Sequence, residues 1–411
     1  MFLLYNFFTH IAWGVLKFLA VFNPKIKLFV LGRSETFQLL RGKIAGGDKI
    51  IWMHVASLGE FEQGLPVIER LKIENPSHKI LITFFSPSGF EVKKNTTAAD
   101  IVAYLPMDSN RNVKKFLEIT KPKLAIFVKY EIWPNYLREL KKRAVPTILI
   151  SAIFRKKQVY FKWYGTFLRN ALGAFSHFFL QDKGSKKLLK SIDITNTTVN
   201  GDTRLDRVSE ILDRDNTLEF MTVFKNDTLC FVAGSTWPED EKILVDYINS
   251  NQSPIKFVVA PHTIHPDKVL ELKKRFTKKT ALYSKLKAYN LKNCDILIID
   301  SIGLLTKVYS YADMAYVGGA FSTGLHNTLE PAVFGIPVII GPNYKGFKEA
   351  EELVMQKGIL TITGARPFNR LMQKLVTDGK FRKLTGEINK KYIAGNKGAS
   401  IQILEHIRRL L

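Results

Sequence analysis

Short apolar runs, each followed by a longer charged stretch with helical spacing, punctuate this chain from one end to the other. Ile50–Val55, Ile80–Phe85, Ile101–Leu105, Leu124–Val128 and Thr147–Ile150 form one series, and Leu229–Ala233, Phe257–Ala260, Ile296–Ile299, Met314–Val317 and Val338–Ile340 form a second. These are the lengths and spacings of βαβ units in parallel sheets. At 411 residues the chain is long enough for two domains with separate cores. The pattern predicts an α/β protein of two doubly wound, Rossmann-like domains facing a cleft, with ligands beyond the carboxyl ends of the strands. Expected boundaries are an N-terminal segment 1–24, a first domain 25–205, a charged linker 206–227, a second domain 228–397 and a C-terminal helix 398–411 that packs back on the first domain. The sequence contains no internal repeat or low-complexity tract.

Phe2–Phe22 is mostly apolar and aromatic, and no acidic residue appears before Glu35. About 20 such residues cross a bilayer, although Asn6, His10 and Lys17 weaken a spanning segment. With no basic leading region and no small-residue cleavage site, it does not read as a cleaved signal peptide. A membrane anchor is expected, either spanning or lying in the interface, and Lys25, Lys27 and Arg33 place the remainder on the cytoplasmic side. The net charge of +24 calls for an anionic partner, such as nucleic acid, an anionic membrane or a phosphorylated substrate. The basic, aromatic stretch Arg155–Tyr164 suits a phosphorylated lipid at a membrane surface, or else is a solvated helix face. Cys230 and Cys294 have no metal-ligand or redox spacing, which fits a reducing compartment.

Polar turns gather at the strand ends. Gly318–Pro331 follows Met314–Val317 and reads as a strand, a glycine turn and a helix start, an arrangement that holds phosphate through backbone N–H groups. Asn327 and Glu330 also have the spacing of a helix cap with its acidic partner. Ile50–Val55 runs into Ser57-Leu58-Gly59-Glu60, placing Glu60 at a strand end. There it can accept a proton from an attacking hydroxyl, or only complement the helix N-terminus. Ser235 and Thr236, after Leu229–Ala233, can hold an oxyanion or cap a helix. Pro261, His262 and His265 lie on a stiff loop whose histidine spacing fits no trusted metal motif. Asp213-Arg214-Asp215 has a metal-binding spacing but follows no strand, and reads as a solvated charge run. No metal and no cofactor is expected.

Taken together, Ser57-Leu58-Gly59-Glu60, Tyr130-Glu131-Ile132-Trp133-Pro134-Asn135, Ala233-Gly234-Ser235-Thr236, Val317-Gly318-Gly319 and His326-Asn327-Thr328-Leu329-Glu330-Pro331 resemble the bacterial 3-deoxy-D-manno-octulosonic acid (Kdo) transferases. The resemblance runs from the N-terminal segment to beyond Gly341-Pro342. It implies a GT-B glycosyltransferase on the cytoplasmic face of the inner membrane, moving Kdo from CMP-Kdo to the lipid A precursor, lipid IVA, with no role for nucleic acid. It further implies Glu60 as general base, and leaves Glu131 either as a second carboxylate of the acceptor site or as the partner of a nearby lysine in a structural ion pair. CMP would be held by Pro261 and His262, by Ile302-Gly303-Leu304 and by Asn327-Thr328-Leu329-Glu330, with Ser57, Gly59, Ser235, Thr236, Gly324 and His326 in support. Three positions depart from the family's pattern: His262 where arginine is common, Ile302-Gly303-Leu304 where Met-Gly-Glu is common, and Lys129 before Tyr130-Glu131. Two other readings share parts of this pattern. One is a GT-B enzyme acting on a UDP-sugar, of the lipid A disaccharide synthase or epimerase kind. The other is a non-catalytic basic protein that binds membrane or nucleic acid.

Overall fold

The apolar runs are the central strands of two parallel sheets in the computed structural model, which describes residues 1–322 and 324–411. Thr323, inside the glycine run, lies outside the described residues. The first sheet contains β1 (Lys49–Val55), β2 (His78–Phe84), β3 (Ile101–Tyr104), β4 (Pro122–Val128), β5 (Thr147–Ala152), β6 (His177–Leu180) and β7 (Thr197–Val199), in the order β3-β2-β1-β4-β5-β6-β7. The second contains β8 (Leu229–Thr236), β9 (Ile255–Pro261), β10 (Thr280–Leu282), β11 (Ile296–Ile298), β12 (Met314–Val317), β13 (Val338–Ile340) and β14 (Ile359–Thr361), in the order β10-β11-β9-β8-β12-β13-β14. Chain contacts divide the molecule into residues 1–206 with 397–411, and residues 207–396.

Both faces of each sheet are covered, which is why the strands read as continuous apolar runs. On β1, Ile50 and Trp52 enter one core with Phe116 and Tyr136, while Ile51, Met53 and Val55 enter the other with Phe61 and Ile68. The helix Ala399–Ile407 returns to this unit and adds Ile403, Leu404 and Ile407 to the second of these cores. Its start is held by Asp206, whose carboxylate accepts from the N–H groups of Gly398 and Ser400.

Helices α1 (Phe2–Leu19) and α2 (Pro24–Lys43) belong to the same unit. The Tyr5 hydroxyl donates to Asp108 at 2.8 Å, and Asn135 donates to the buried Asn6 at 3.0 Å. Polar residues that weaken a membrane span thus dock the helix on the protein. Its remaining surface exposes Leu3, Phe7, Phe8, Ile11, Val15 and Phe18.

Candidate functional site

In the first sheet the strand order reverses between β1 and β4, so the turns at their carboxyl ends flank the topological switch point. Glu60 follows β1 in the first turn of helix α3 (Leu58–Glu74), and Glu131 follows β4. Glu60 is buried, at 5% exposure, and its Oε2 accepts from the N–H of Ala56 at 2.7 Å, the N–H of Ser57 at 2.9 Å and the Ser57 hydroxyl at 3.3 Å. The capping function is therefore present, but all of it falls on one oxygen. Oε1 accepts no hydrogen bond among the described residues. Burial first, and the neighbouring Glu131 carboxylate second, push the Glu60 carboxyl above its ordinary value, against the Ala56 and Ser57 hydrogen bonds and the charge of Lys129. Gly59 is not required by packing, since a Cβ there would meet only the Ser57 hydroxyl, at 3.9 Å.

Glu131 Oε2 accepts from Trp133 Nε1 at 2.9 Å and lies 3.3 Å from Nε2 of His54. His54, fully buried on β1, places Nδ1 within 3.1 Å of the Thr83 carbonyl and 2.9 Å of its hydroxyl, and Trp52 donates to that hydroxyl at 2.8 Å. The register that pairs His54 with Thr83 across β1 and β2 makes this contact possible. The sequence reading missed His54. Its signal was a histidine two residues after Trp52 on the same face of an otherwise apolar strand, just ahead of the Ser-Gly-Glu turn.

The second sheet reverses between β8 and β12. Here the sequence expectation of a phosphate-holding glycine turn meets a different local structure. The helix after the turn, Leu329–Ala332, has only 4 residues and Thr328 as its N-cap, so its dipole contributes little. The Gly319 N–H is already committed to Asp240 at 2.9 Å, and Tyr316 and the N–H of Trp237 donate to the same carboxylate. Gly318 is a glycine because a Cβ would come within 2.3 Å of the Ser235 carbonyl and 2.7 Å of Asp240. Asp240 is thus the post around which the turn is folded, and nothing in its sequence context announced that contact. Gly324 has φ +115° with open space around it, a backbone that favours glycine without crowding.

Asn327 and Glu330 are bonded to each other, Asn327 Nδ2 to Glu330 Oε1 at 3.0 Å, while Asn327 Oδ1 accepts from the Leu329 N–H at 3.1 Å. The Thr306 hydroxyl donates to Glu330 Oε2 at 2.9 Å. Thr328 and Leu329 are buried. Ile302 is 86% exposed and Gly303 has φ +91°, placing an uncovered apolar side chain beyond β11. Pro261 ends β9, and the exposed His262 ring stacks on Trp237 and on His326, with centroids 4.6 and 4.7 Å apart. Trp237 Nε1 donates to His326 Nε2 at 2.9 Å, and burial and His262 hold His326 below the ordinary histidine value, so it is neutral near pH 7. Ser235 has a left-handed φ of +54°, and the buried Thr236 hydroxyl donates to Glu241 at 3.3 Å. Among the described residues, no group of three or more His, Cys, Asp or Glu side chains is placed to hold a metal ion.

The sequence of the chain matches a known family. The sequence profile described as 3-deoxy-D-manno-octulosonic-acid transferase (kdotransferase) matches residues 31–207. The 3-deoxy-D-manno-octulosonic acid transferase of Aquifex aeolicus (strain VF5) is 30% identical over 329 residues, covering 75% of this chain and 80% of that relative. The chain belongs to the Kdo transferase family. The Kdo transferase of Haemophilus influenzae is 27% identical over 377 residues, covering 88% of this chain and 87% of its own length. A UDP-GlcNAc 2-epimerase from Neisseria meningitidis, solved bound to UDP-GlcNAc, superposes with a TM-score of 0.63 at 16% identity, over 88% of this chain and 100% of its own. That likeness shows the shared GT-B fold. As a Kdo transferase, the protein is a glycosyltransferase.

Proposed function

We propose that this enzyme transfers Kdo from CMP-Kdo to lipid IVA at the cytoplasmic face of the inner membrane, with inversion, with Glu60 as general base and without a metal. The observation that carries this reading is the state of Glu60. It is buried at the switch point of the first sheet, anchored through one oxygen with the other unengaged, and its basicity is raised by burial and by Glu131. In the proposed step the acceptor hydroxyl oxygen bonds to the anomeric carbon of Kdo as the bond from that carbon to the CMP phosphate oxygen breaks. The hydroxyl proton passes to Glu60, and the anomeric centre inverts because a single displacement occurs. Glu131, held by Trp133 and beside His54, serves the acceptor site as a second carboxylate.

CMP is assigned to the loops of the second unit: Pro261 and His262, Ile302-Gly303-Leu304, and Asn327-Thr328-Leu329-Glu330. Each Glu330 oxygen, although engaged, keeps a further lone pair for a ribose hydroxyl. His262 offers a ring nitrogen where a guanidinium would make a bidentate phosphate contact, so one donor replaces two. The exposed apolar face of α1 supports membrane residence, as do Trp163 and Tyr164, which protrude at 90% and 58% exposure from the basic stretch Arg155–Tyr164. Within that stretch Arg155, Lys156 and Lys157 are exposed, while Tyr160 packs into the core and Arg169 binds the carbonyls of Tyr160 and Lys162.

The deciding experiment follows labelled Kdo from CMP-Kdo, generated in situ, to lipid IVA in detergent, using wild type, Glu60→Gln, and wild type with a chelator. Product from wild type with or without chelator, and none from a Glu60→Gln variant that still binds CMP, is the expected result. A folded wild type that binds CMP but makes no product would refute the acceptor or the sugar, and chelator sensitivity would refute metal independence.

A further inference from the structure

Arg33 is the most costly side chain in the first unit that the proposed chemistry leaves unused. It lies on α2 at 4% exposure, with its guanidinium 3.5 Å above the Phe29 ring and 4.7 Å from that of Phe85. Its Nη1 donates to the Phe29 carbonyl at 3.0 Å and its Nη2 to the Phe85 carbonyl at 2.7 Å. Nε is buried without a partner, and no carboxylate forms an ion pair with Arg33 among the described residues. Two of the five guanidinium N–H groups are thus engaged and three are not. Asp108, the acid of the adjoining loop, is spent on Tyr5 and on the N–H groups of Asn135 and Tyr136. Glu35, on the same helix, lines a different cavity. A buried cation without a counter-ion costs several kcal/mol. Burial pulls the Arg33 value down to about 9, which still leaves it charged near neutrality.

Arg33 also lines a cavity of about 220 Å³ between α1, α2 and the loop after β3. That volume is too small for a whole drug-sized ligand and suits one chemical group. Around Arg33 the cavity presents Lys17 and Trp13 from α1, Ser34 from α2, and Met107 and Asn112 from the loop and the helix that follows it. Lys17 lies over the Trp13 ring at 5.7 Å. Lys17 and Arg33 bring two cations to one small volume that no acid lines, a charge pattern that suits an oxyanion, while the Ser34 hydroxyl donates to the Leu31 carbonyl at 2.6 Å and the Asn112 amide to the Met107 carbonyl at 3.1 Å.

We propose that this cavity binds the phosphate group of a membrane lipid, with Arg33 as its central ligand and Lys17 as the second cation. A lipid headgroup is favoured over free phosphate because Trp13 and Lys17 belong to the helix that exposes Phe7, Phe8, Ile11, Val15 and Phe18, so the receptor sits on the element suited to rest in a bilayer. The inference rests on the reading of α1 as membrane-bound and is independent of the donor sugar.

The test uses the full chain and vesicles of phosphatidylcholine alone, with phosphatidic acid, or with phosphatidylserine at matched surface charge. Wild type is expected to bind the phosphatidic acid vesicles about tenfold more tightly than the phosphatidylserine vesicles, the worth of one charge-assisted contact. Arg33→Gln should erase that difference while phosphatidylserine binding persists. Ser34→Asp should do the same with Arg33 and its carbonyl contacts intact, by supplying an internal carboxylate at an exposed position, and it keeps the test valid if the arginine variant misfolds. Equal binding of both anionic vesicles by wild type, or a preference that survives in Ser34→Asp, would overturn the site. Calorimetric binding of inorganic phosphate as tight as the binding of phosphatidic acid vesicles would overturn the lipid as occupant. Binding to no vesicle at all would overturn both the lipid and the membrane reading of α1, and leave the transfer assay as the separate judge of the donor chemistry.

Discussion

In the proposed mechanism Glu60 combines two roles that compete in most proteins, helix cap and general base, because a capping carboxylate is normally stabilised as the anion. Here burial and Glu131 outweigh the hydrogen bonds from Ala56 and Ser57. A carboxyl raised in the folded state favours folding most when protonated, so its contribution is complete in acid and is lost as pH rises through the raised value. Glu60→Gln keeps an acceptor for the Ala56 and Ser57 N–H groups and removes the charge. Its melting temperature should equal or exceed that of wild type at alkaline pH, and the advantage should vanish in acid; calorimetry across pH reads this directly. A lower melting temperature at alkaline pH would show that the cap outweighs desolvation. Glu131→Gln removes the second-largest cause of the shift, so the acid limb of kcat/KM should move to lower pH. An unmoved acid limb would mean that the limb belongs to another group.

At the scale of the element, the turn from β12 is built around Asp240, and Gly318 is its tightest point. Gly318→Ala should cost about 1–3 kcal/mol, the usual cost of overpacking, seen as a lower denaturation midpoint. Asp206→Ala should cost about 1 kcal/mol through loss of the cap on Ala399–Ile407, because the N–H groups of Gly398 and Ser400 lose their acceptor. The central strands were readable in the sequence because burial on both faces writes continuous apolar runs. β6, β7, β10 and β14 were not; the last three are edge strands, and Thr197–Val199, Thr280–Leu282 and Ile359–Thr361 each carry a threonine that breaks up an apolar run. The same limit applies to the candidate site. Glu60 was readable because it follows a strand directly, whereas His54 is hidden within its strand and Asp240 acts on Gly319 from 79 residues away. Long-range pairings of that kind leave no local trace.

At the scale of the whole molecule, the question is how a chain of charge +24 meets a membrane. α1 has the length and composition to cross a bilayer, and it is also bonded to the first unit at one end. Crossing would carry Tyr5 and Asn6 away from Asp108 and Asn135, leaving the Asp108 carboxylate only the Asn135 and Tyr136 N–H groups and the Asn135 amide only the Asp108 carbonyl. The lost Tyr5 bond to the Asp108 carboxylate costs about 1.5–3 kcal/mol, and the neutral Asn6–Asn135 bond about 0.5–1.5 kcal/mol. Lying in the interface keeps these bonds and still buries Phe7, Phe8, Ile11, Val15 and Phe18 in lipid. An epitope placed ahead of Met1 should therefore stay on the same side of the membrane as the rest of the chain. In spheroplasts treated with external protease, both the epitope and the body should survive, and both should be cut once the membrane is permeabilised. Loss of the epitope alone in intact spheroplasts would mean that α1 crosses the bilayer and that its contacts with Asp108 and Asn135 are given up there.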